Sequence, residues 1–321
     1  MKSKNTFWKL ISLKLFQLAI IALVSIYIWY IDFIFFENRG FGYDHHYYKK
    51  LLISEGFGKF FITYISEGAT EPISAVFFYA LSNLAGSETL KFFLAREIIF
   101  LLFIYRFHKS NKIFIFGILL YLTPLMQTLF QSNLRQGLAI AILVFLLPIW
   151  RNFTPFLLGT LSHLSISFLL ILRIFNQKKI LLFSSILMPL LIFLVITLMP
   201  DNLLNTLNDK LEARMKITEI QNLGYFFHLF LILLIYLFLT EGRNDRLNSK
   251  KVYITSVVFL FFVLCIPLNN VPQRLIPLVW LLPIYDLCCR DTHWNYKIPI
   301  SLLSIYFILM WLKTLLLASS N

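Results

Sequence analysis

Arg135 stands near the head of one of the most apolar stretches of the chain, Gln131-Ser-Asn-Leu-Arg-Gln-Gly-Leu-Ala-Ile-Ala-Ile-Leu-Val-Phe-Leu-Leu147. An arginine carried into hydrocarbon costs at least about 2.5 to 3.5 kcal/mol on insertion scales, so it persists where a counter-charge, a water-filled cavity or a bound anion receives it. Glu97 is one carboxylate able to act as that counter-charge, in which case the arginine would be structural. Arg274 repeats the arrangement, because Asn269-Asn-Val-Pro-Gln-Arg274 leads into a second apolar run. A guanidinium donates two parallel charge-assisted hydrogen bonds and keeps its proton, which suits it to diphosphate. The free N–H groups and dipole of a helix N-terminus add to the same attraction.

Three further residues have the chemistry of a proton acceptor. His163 lies within Gly159-Thr-Leu-Ser-His-Leu-Ser-Ile-Ser167, and its near-neutral intrinsic pKa suits general-base work. Asp44 and Glu71 are carboxylate alternatives, and the residues alone do not choose among the three. Asp44, Tyr47 and Tyr48 follow the i, i+3, i+4 spacing of one helix face, with Asp44 placed to cap the helix. The competing readings are a capped interfacial helix for that group and a hydrogen-bonded packing histidine among Ser162, Ser165 and Ser167. No metal-ligand cluster, nucleotide loop or redox cysteine pattern is visible, so the chemistry is expected to need no metal and no cofactor.

The elements that must position these residues are set by composition. Hydrophobic residues make up 59%, aromatic residues 17% and charged residues 14% of the chain, with 34 phenylalanines. Ordinary globular domains carry about 25% charged residues, so the solvent of this chain is mostly lipid and a soluble fold is excluded. The net charge of +13 comes in short Lys and Arg clusters between apolar runs, a positive-inside pattern and not a nucleic-acid footprint. The prediction is an all-α polytopic integral membrane protein, one domain over residues 1–321, with about 9 to 11 membrane helices including short or re-entrant ones.

In order, Leu13–Phe36 is a first span with the N-terminus inside, and segment 37–71 lies on the outer face. Ile73–Leu84 rises only about 18 Å and half-crosses. Phe92–Phe107 runs inward to a cytoplasmic loop at 106–112, and Ile113–Phe130, kinked at Pro124, returns outward to Arg135. Gly137, Ala139 and Ala141 keep one side of the next helix small, for a neighbouring helix or a ligand. Phe153–Phe175 reads as two half-helices with His163 at their apex. Residues 200–222 form a second outer segment, and 173–179, 241–251 and 290–297 are cytoplasmic loops. All the candidate residues then fall on the outer side, which the charge rule did not require.

Arg135-Gln136-Gly137-Leu138-Ala139, the Asp-x-x-Tyr element of Asp44 and Tyr47 before it, His163 on the following apolar segment and Arg274 near the C-terminal end form an ordered set. From roughly Asp44 to Arg274 that set resembles the EpsG family of Wzy-type polysaccharide polymerases. The resemblance implies a GT-C-like polymerase of O-antigen or exopolysaccharide, working at the outer face of a bacterial inner membrane. Such an enzyme moves a growing glycan from undecaprenyl pyrophosphate onto the sugar of an incoming lipid-linked repeat unit, with no nucleotide. Carried onto this chain, Arg135 and Arg274 would hold pyrophosphate, His163 would be the base with Asp44 and Glu71 as alternatives, and Tyr47 and Gln136 would meet the glycan. The implied partners are the lipid-linked glycan, membrane lipids and a chain-length regulator protein, and not nucleic acid. The competing classes are a transporter that flips lipid-linked oligosaccharide, and a surface-glycan ligase or acyltransferase.

Overall fold

The computed structural model describes residues 2–31, 42–54, 56–66, 69–131, 133–149, 154–163, 225, 227–234, 270–289, 300–306 and 308–309. The chain divides into two compact units, one of residues 1–164 with 303–321 and one of residues 165–302. The first unit holds α1 (Lys2–Ile31), α2 (Gly42–Ile53), α3 (Phe57–Ser66), α4 (Pro72–Ser82), α5 (Glu88–Ile104), α6 (Asn111–Tyr121), α7 (Pro124–Gln131), α8 (Leu134–Phe145) and α9 (Thr154–Ser162). Single 3₁₀ turns, Tyr105–Lys109 and Leu147–Ile149, follow α5 and α8. In the second unit, α10 (Asn270–Cys289) is the longest described element. The all-α class holds among the described residues.

The helix boundaries follow from local chemistry. Ser87 caps α5, its hydroxyl accepting from the Leu90 N–H at 3.3 Å, with Glu88 in the first turn where the dipole favours an anion. Ser110 caps α6 in the same way, accepting from Ile113 at 3.3 Å. Glu71 stands in extended conformation (φ −81°, ψ 112°) before Pro72, whose missing N–H costs nothing at a first helical position. Lys91 donates to Leu52 O at 3.3 Å and Ser82 O at 2.7 Å, so one ammonium satisfies end carbonyls of both α2 and α4.

Helix α8 is the centre of the unit and packs against α5, α7 and α9. Its partner α5 turns Phe92, Ala95, Arg96, Ile99, Phe100, Phe103 and Ile104 inward, the spacing of a single buried stripe. The small side of α8 receives a neighbouring helix. A Cβ on Gly137 would lie 3.0 Å from Leu129 O and 3.2 Å from Phe130 Cα, so only glycine lets α7 come this close. Phe130 closes an aromatic cluster with Tyr121 and Phe103, ring centroids 5.1 and 4.9 Å away. At the other end of α8, Arg106 donates to Phe145 O at 2.6 Å and lies 5.3 Å over that residue's ring.

The structure differs from the expected elements at particular points. Among the described residues no helix is long and apolar enough to cross a membrane. The stretch read as one kinked span, 113–130, is two helices: α6 ends at Leu122, Thr123 turns its hydroxyl back to Leu120 O at 2.7 Å, and Pro124 begins α7. A proline that opens a helix after a capped stop divides it and does not merely kink it. The short element expected at 73–84 is α4, with 11 residues. Helix α2 begins at Gly42, which puts Asp44 inside its first turn and not at the cap. Of the expected two half-helices around His163, α9 is the first, and the second lies outside the described residues, as do segments 173–179, 200–222, 241–251 and 290–297.

Large apolar side chains remain exposed in number. Leu15, Leu18, Leu23, Ile26 and Trp29 are each more than half exposed on α1, and on α3 Ile62 reaches 71% exposure. An apolar surface of this extent is unusual for a chain bathed in water.

Candidate functional site

Five helices of the first unit bring their ends or faces to Arg135. Helix α8 places it in its first turn, and its backbone N–H donates to the Tyr48 hydroxyl of α2 at 3.2 Å. The guanidinium donates from Nη1 to Glu71 Oε2 at 2.9 Å, an ion pair spanning 64 positions of sequence. The counter-charge is therefore Glu71, not Glu97, whose Oε1 accepts from the Ser25 hydroxyl at 2.6 Å. Both partners are mostly buried, with 19% of the Arg135 side chain and 10% of the Glu71 side chain exposed.

Glu71 is held from three directions. Besides Arg135, its Oε2 accepts from the Thr70 N–H at 3.1 Å and faces the Tyr64 hydroxyl at 3.5 Å. That hydroxyl donates to the Glu71 carbonyl at 2.9 Å, tying α3 to the start of α4. Burial pushes the carboxyl up, but the Arg135 guanidinium, the backbone N–H donors and the nearby His163 imidazole outweigh it, and the group stays ionised below the usual carboxylate range.

His163 follows the last turn of α9, its N–H donating to Gly159 O at 2.9 Å, and it is buried. Ser74 of α4 donates its hydroxyl to Ser162 O, which fastens the end of α9 to the first turn of the helix that Glu71 caps. This contact explains why the imidazole comes close enough for its charge to act on the Glu71 carboxylate. Tyr47, one residue from Tyr48, lies under the guanidinium with its ring centroid 5.6 Å from Arg135 Cζ. Its other side meets the Tyr48 ring at 5.0 Å. Burial pushes the Tyr47 hydroxyl well above its ordinary pKa, with Arg135 opposing the rise, so it stays a donor.

Four of the sequence candidates, Tyr47, Glu71, Arg135 and His163, therefore meet in one place. Gln136 is fully buried, its Oε1 accepting from the Asn133 side chain at 3.0 Å, which makes it part of the helix start that carries Arg135. Asp44 lies on α2 and Arg274 on α10 of the second unit, and the side chains of both lie outside the described residues. Sequence reasoning missed Tyr64 and Thr70. Tyr64 sits seven residues before Glu71 in an ordinary amphipathic helix, and Thr70 contributes only its backbone. Neither carries a signal in its residue type.

A helical protein that sets an arginine at a helix start beside a locked carboxylate and a buried histidine brings together a cation able to meet an anionic group and a side chain able to take a proton. The chain belongs to the EpsG family, whose model matches residues 11–321, nearly the whole sequence. EpsG is an exopolysaccharide or O-antigen polymerase-type family, which makes the protein a glycosyltransferase-like polymerase of polysaccharide biosynthesis. No curated protein and no solved structure matches the chain.

Proposed function

We propose that this protein joins lipid-pyrophosphate-linked oligosaccharide repeat units into a surface polysaccharide at the outer face of a bacterial inner membrane. The observation that carries the reading is the meeting of Arg135, Glu71 and His163 from three separate helices within a chain of the EpsG family. The many exposed apolar side chains of α1 and α3 support a lipid environment.

In the proposed reaction, a hydroxyl oxygen of the acceptor unit attacks the anomeric carbon of the donor glycan. The bond from that carbon to the pyrophosphate oxygen breaks, and the leaving group takes the electron pair. Arg135, oriented by Glu71 before any substrate arrives, stabilises the charge that develops there. The hydroxyl proton passes to His163. Glu71 is the weaker base of the two because its ion pair and backbone donors keep its basicity low. Its role in this scheme is to hold Arg135, while Asp44 remains available to glycan hydroxyls. Undecaprenyl pyrophosphate is the carrier expected in such a membrane, and a chain-length regulator is the expected protein partner.

Deleting the gene from its native host tests the proposal. Surface glycan resolved on a gel should collapse from a ladder to a single repeat unit. The wild-type gene should restore the ladder, and His163→Ala or Arg274→Ala, at matched membrane abundance, should not. Loss of even the single unit on deletion would place the block before polymerisation and favour a transporter.

A further inference from the structure

Two polar atoms at the site have no hydrogen-bond partner among the described residues although both are buried: the Tyr47 hydroxyl and Arg135 Nε. They belong to side chains in direct contact, Arg135 Cζ standing 5.6 Å from the Tyr47 ring centroid. Tyr47 is only 4% exposed, so water does not replace the missing partner from bulk solvent. A folded protein rarely leaves a buried donor unsatisfied, since the desolvation cost is not returned, and such groups need an explanation in terms of what they bind. Here the neighbouring donor capacity is already committed elsewhere. Arg135 Nη1 serves Glu71, the Arg135 N–H serves the Tyr48 hydroxyl, and the Tyr64 hydroxyl serves the Glu71 carbonyl.

What is missing is therefore an acceptor, and one able to take a phenolic O–H and a guanidinium N–H together. We propose that Tyr47 is a specificity-determining residue whose hydroxyl, with Arg135 Nε, receives the oxygens of a phosphoryl group. This rests on the reading of Arg135 as the pyrophosphate-holding residue and deepens it. It also reassigns Tyr47, whose ring meets Arg135 on one hand and Tyr48 on the other, from a residue that meets the glycan to a donor for phosphate. A neutral sugar hydroxyl would not satisfy the guanidinium N–H as strongly as an anionic oxygen, because charge on both partners roughly doubles such a bond. The strong preference of the Tyr47 hydroxyl for its protonated form keeps it a donor throughout the physiological range.

Tyr47→Phe removes the hydroxyl and keeps the ring under Arg135. Binding of farnesyl pyrophosphate to the purified full-length protein in detergent, followed by calorimetry, reads the consequence, with thermal unfolding of the same samples alongside. The variant should bind about tenfold or more weakly, the loss of one hydrogen bond to a charged acceptor. Its unfolding midpoint should be unchanged or higher, since an unsatisfied buried hydroxyl has been removed. A structural hydroxyl would give the reverse, a lower midpoint with binding intact, and that result would overturn the proposal. If wild type binds and Arg135→Ala does not, while Tyr47→Phe binds like wild type, the inference about Tyr47 fails and the pyrophosphate reading survives. If the wild-type protein shows no binding that depends on Arg135, the pyrophosphate reading itself fails and takes this inference with it.

Discussion

Two arginines of the first unit, Arg135 and Arg96, lie on neighbouring helices in contrasting surroundings. Arg135 sits in the first turn of α8, pairs with Glu71 at 2.9 Å and keeps part of its side chain exposed. Arg96 sits in the middle of α5, is fully buried and lies 4.3 Å over the Phe92 ring. The carboxylate next to it, Glu97, is engaged by Ser25 of α1. Arg135 keeps a fraction of its side chain exposed, whereas Arg96 is sealed inside the helix packing. Burial of a charge is thus not by itself the mark of a site. Position at a helix start, a carboxylate partner and residual exposure separate the two.

Removing the reachable charge should have the largest effect. Arg135→Ala is expected to lower polymer formation at least about 100-fold, the scale of deleting one preorganised donor to developing negative charge. The comparison breaks if Arg96→Ala, at equal abundance, is equally damaging to the chemistry. His163→Ala should cost about 100-fold or more as the loss of a general base, with the unfolding midpoint little changed. A pH–rate profile that loses its acidic limb in His163→Ala would sharpen that assignment.

On stability, Glu71→Ala strands the guanidinium and should destabilise the unit by about 3 kcal/mol, measured by denaturant unfolding in detergent. The accompanying pH dependence has a definite sign. The folded pKa of Glu71 lies below its ordinary value of 4.5, so the contribution of the pair is complete above that value and is lost as pH falls through the lower folded value. Wild type should therefore lose more stability on acidification than Glu71→Ala, and parallel curves would contradict the ion pair. Tyr64→Phe, which deletes the hydroxyl donating to the Glu71 carbonyl, should cost about 1 kcal/mol. The smallest effect belongs to Arg96→Met, since an apolar residue of similar volume commonly replaces a buried charge with little net change.

The helical class, and Arg135, Glu71 and His163 as candidates, were legible because each residue type conflicts with its greasy context. The partnership of Arg135 with Glu71 was not. Glu97 lies equally well placed by sequence, and only the fold shows that Ser25 takes it while α4 carries Glu71 to the start of α8. The stretch 113–130 read as one kinked helix because hydropathy averages across stops. Leu122-Thr123-Pro124 terminates one helix and begins another inside a run that stays apolar throughout. Tyr64 and the N–H of Thr70 were invisible for a different reason, since a backbone contact leaves no trace in residue type. The small side of α8 was legible from Gly137 and its alanines, and its occupant proved to be α7.

The most direct test sets the two arginines against each other in one host. Arg135→Ala and Arg96→Met would each replace the wild-type gene in the deletion strain at matched membrane abundance, with surface-glycan length as the readout. Arg96→Met should restore the full ladder and Arg135→Ala should leave a single repeat unit. A full ladder from Arg135→Ala would contradict the central claim that this arginine is held ready for the transferring group.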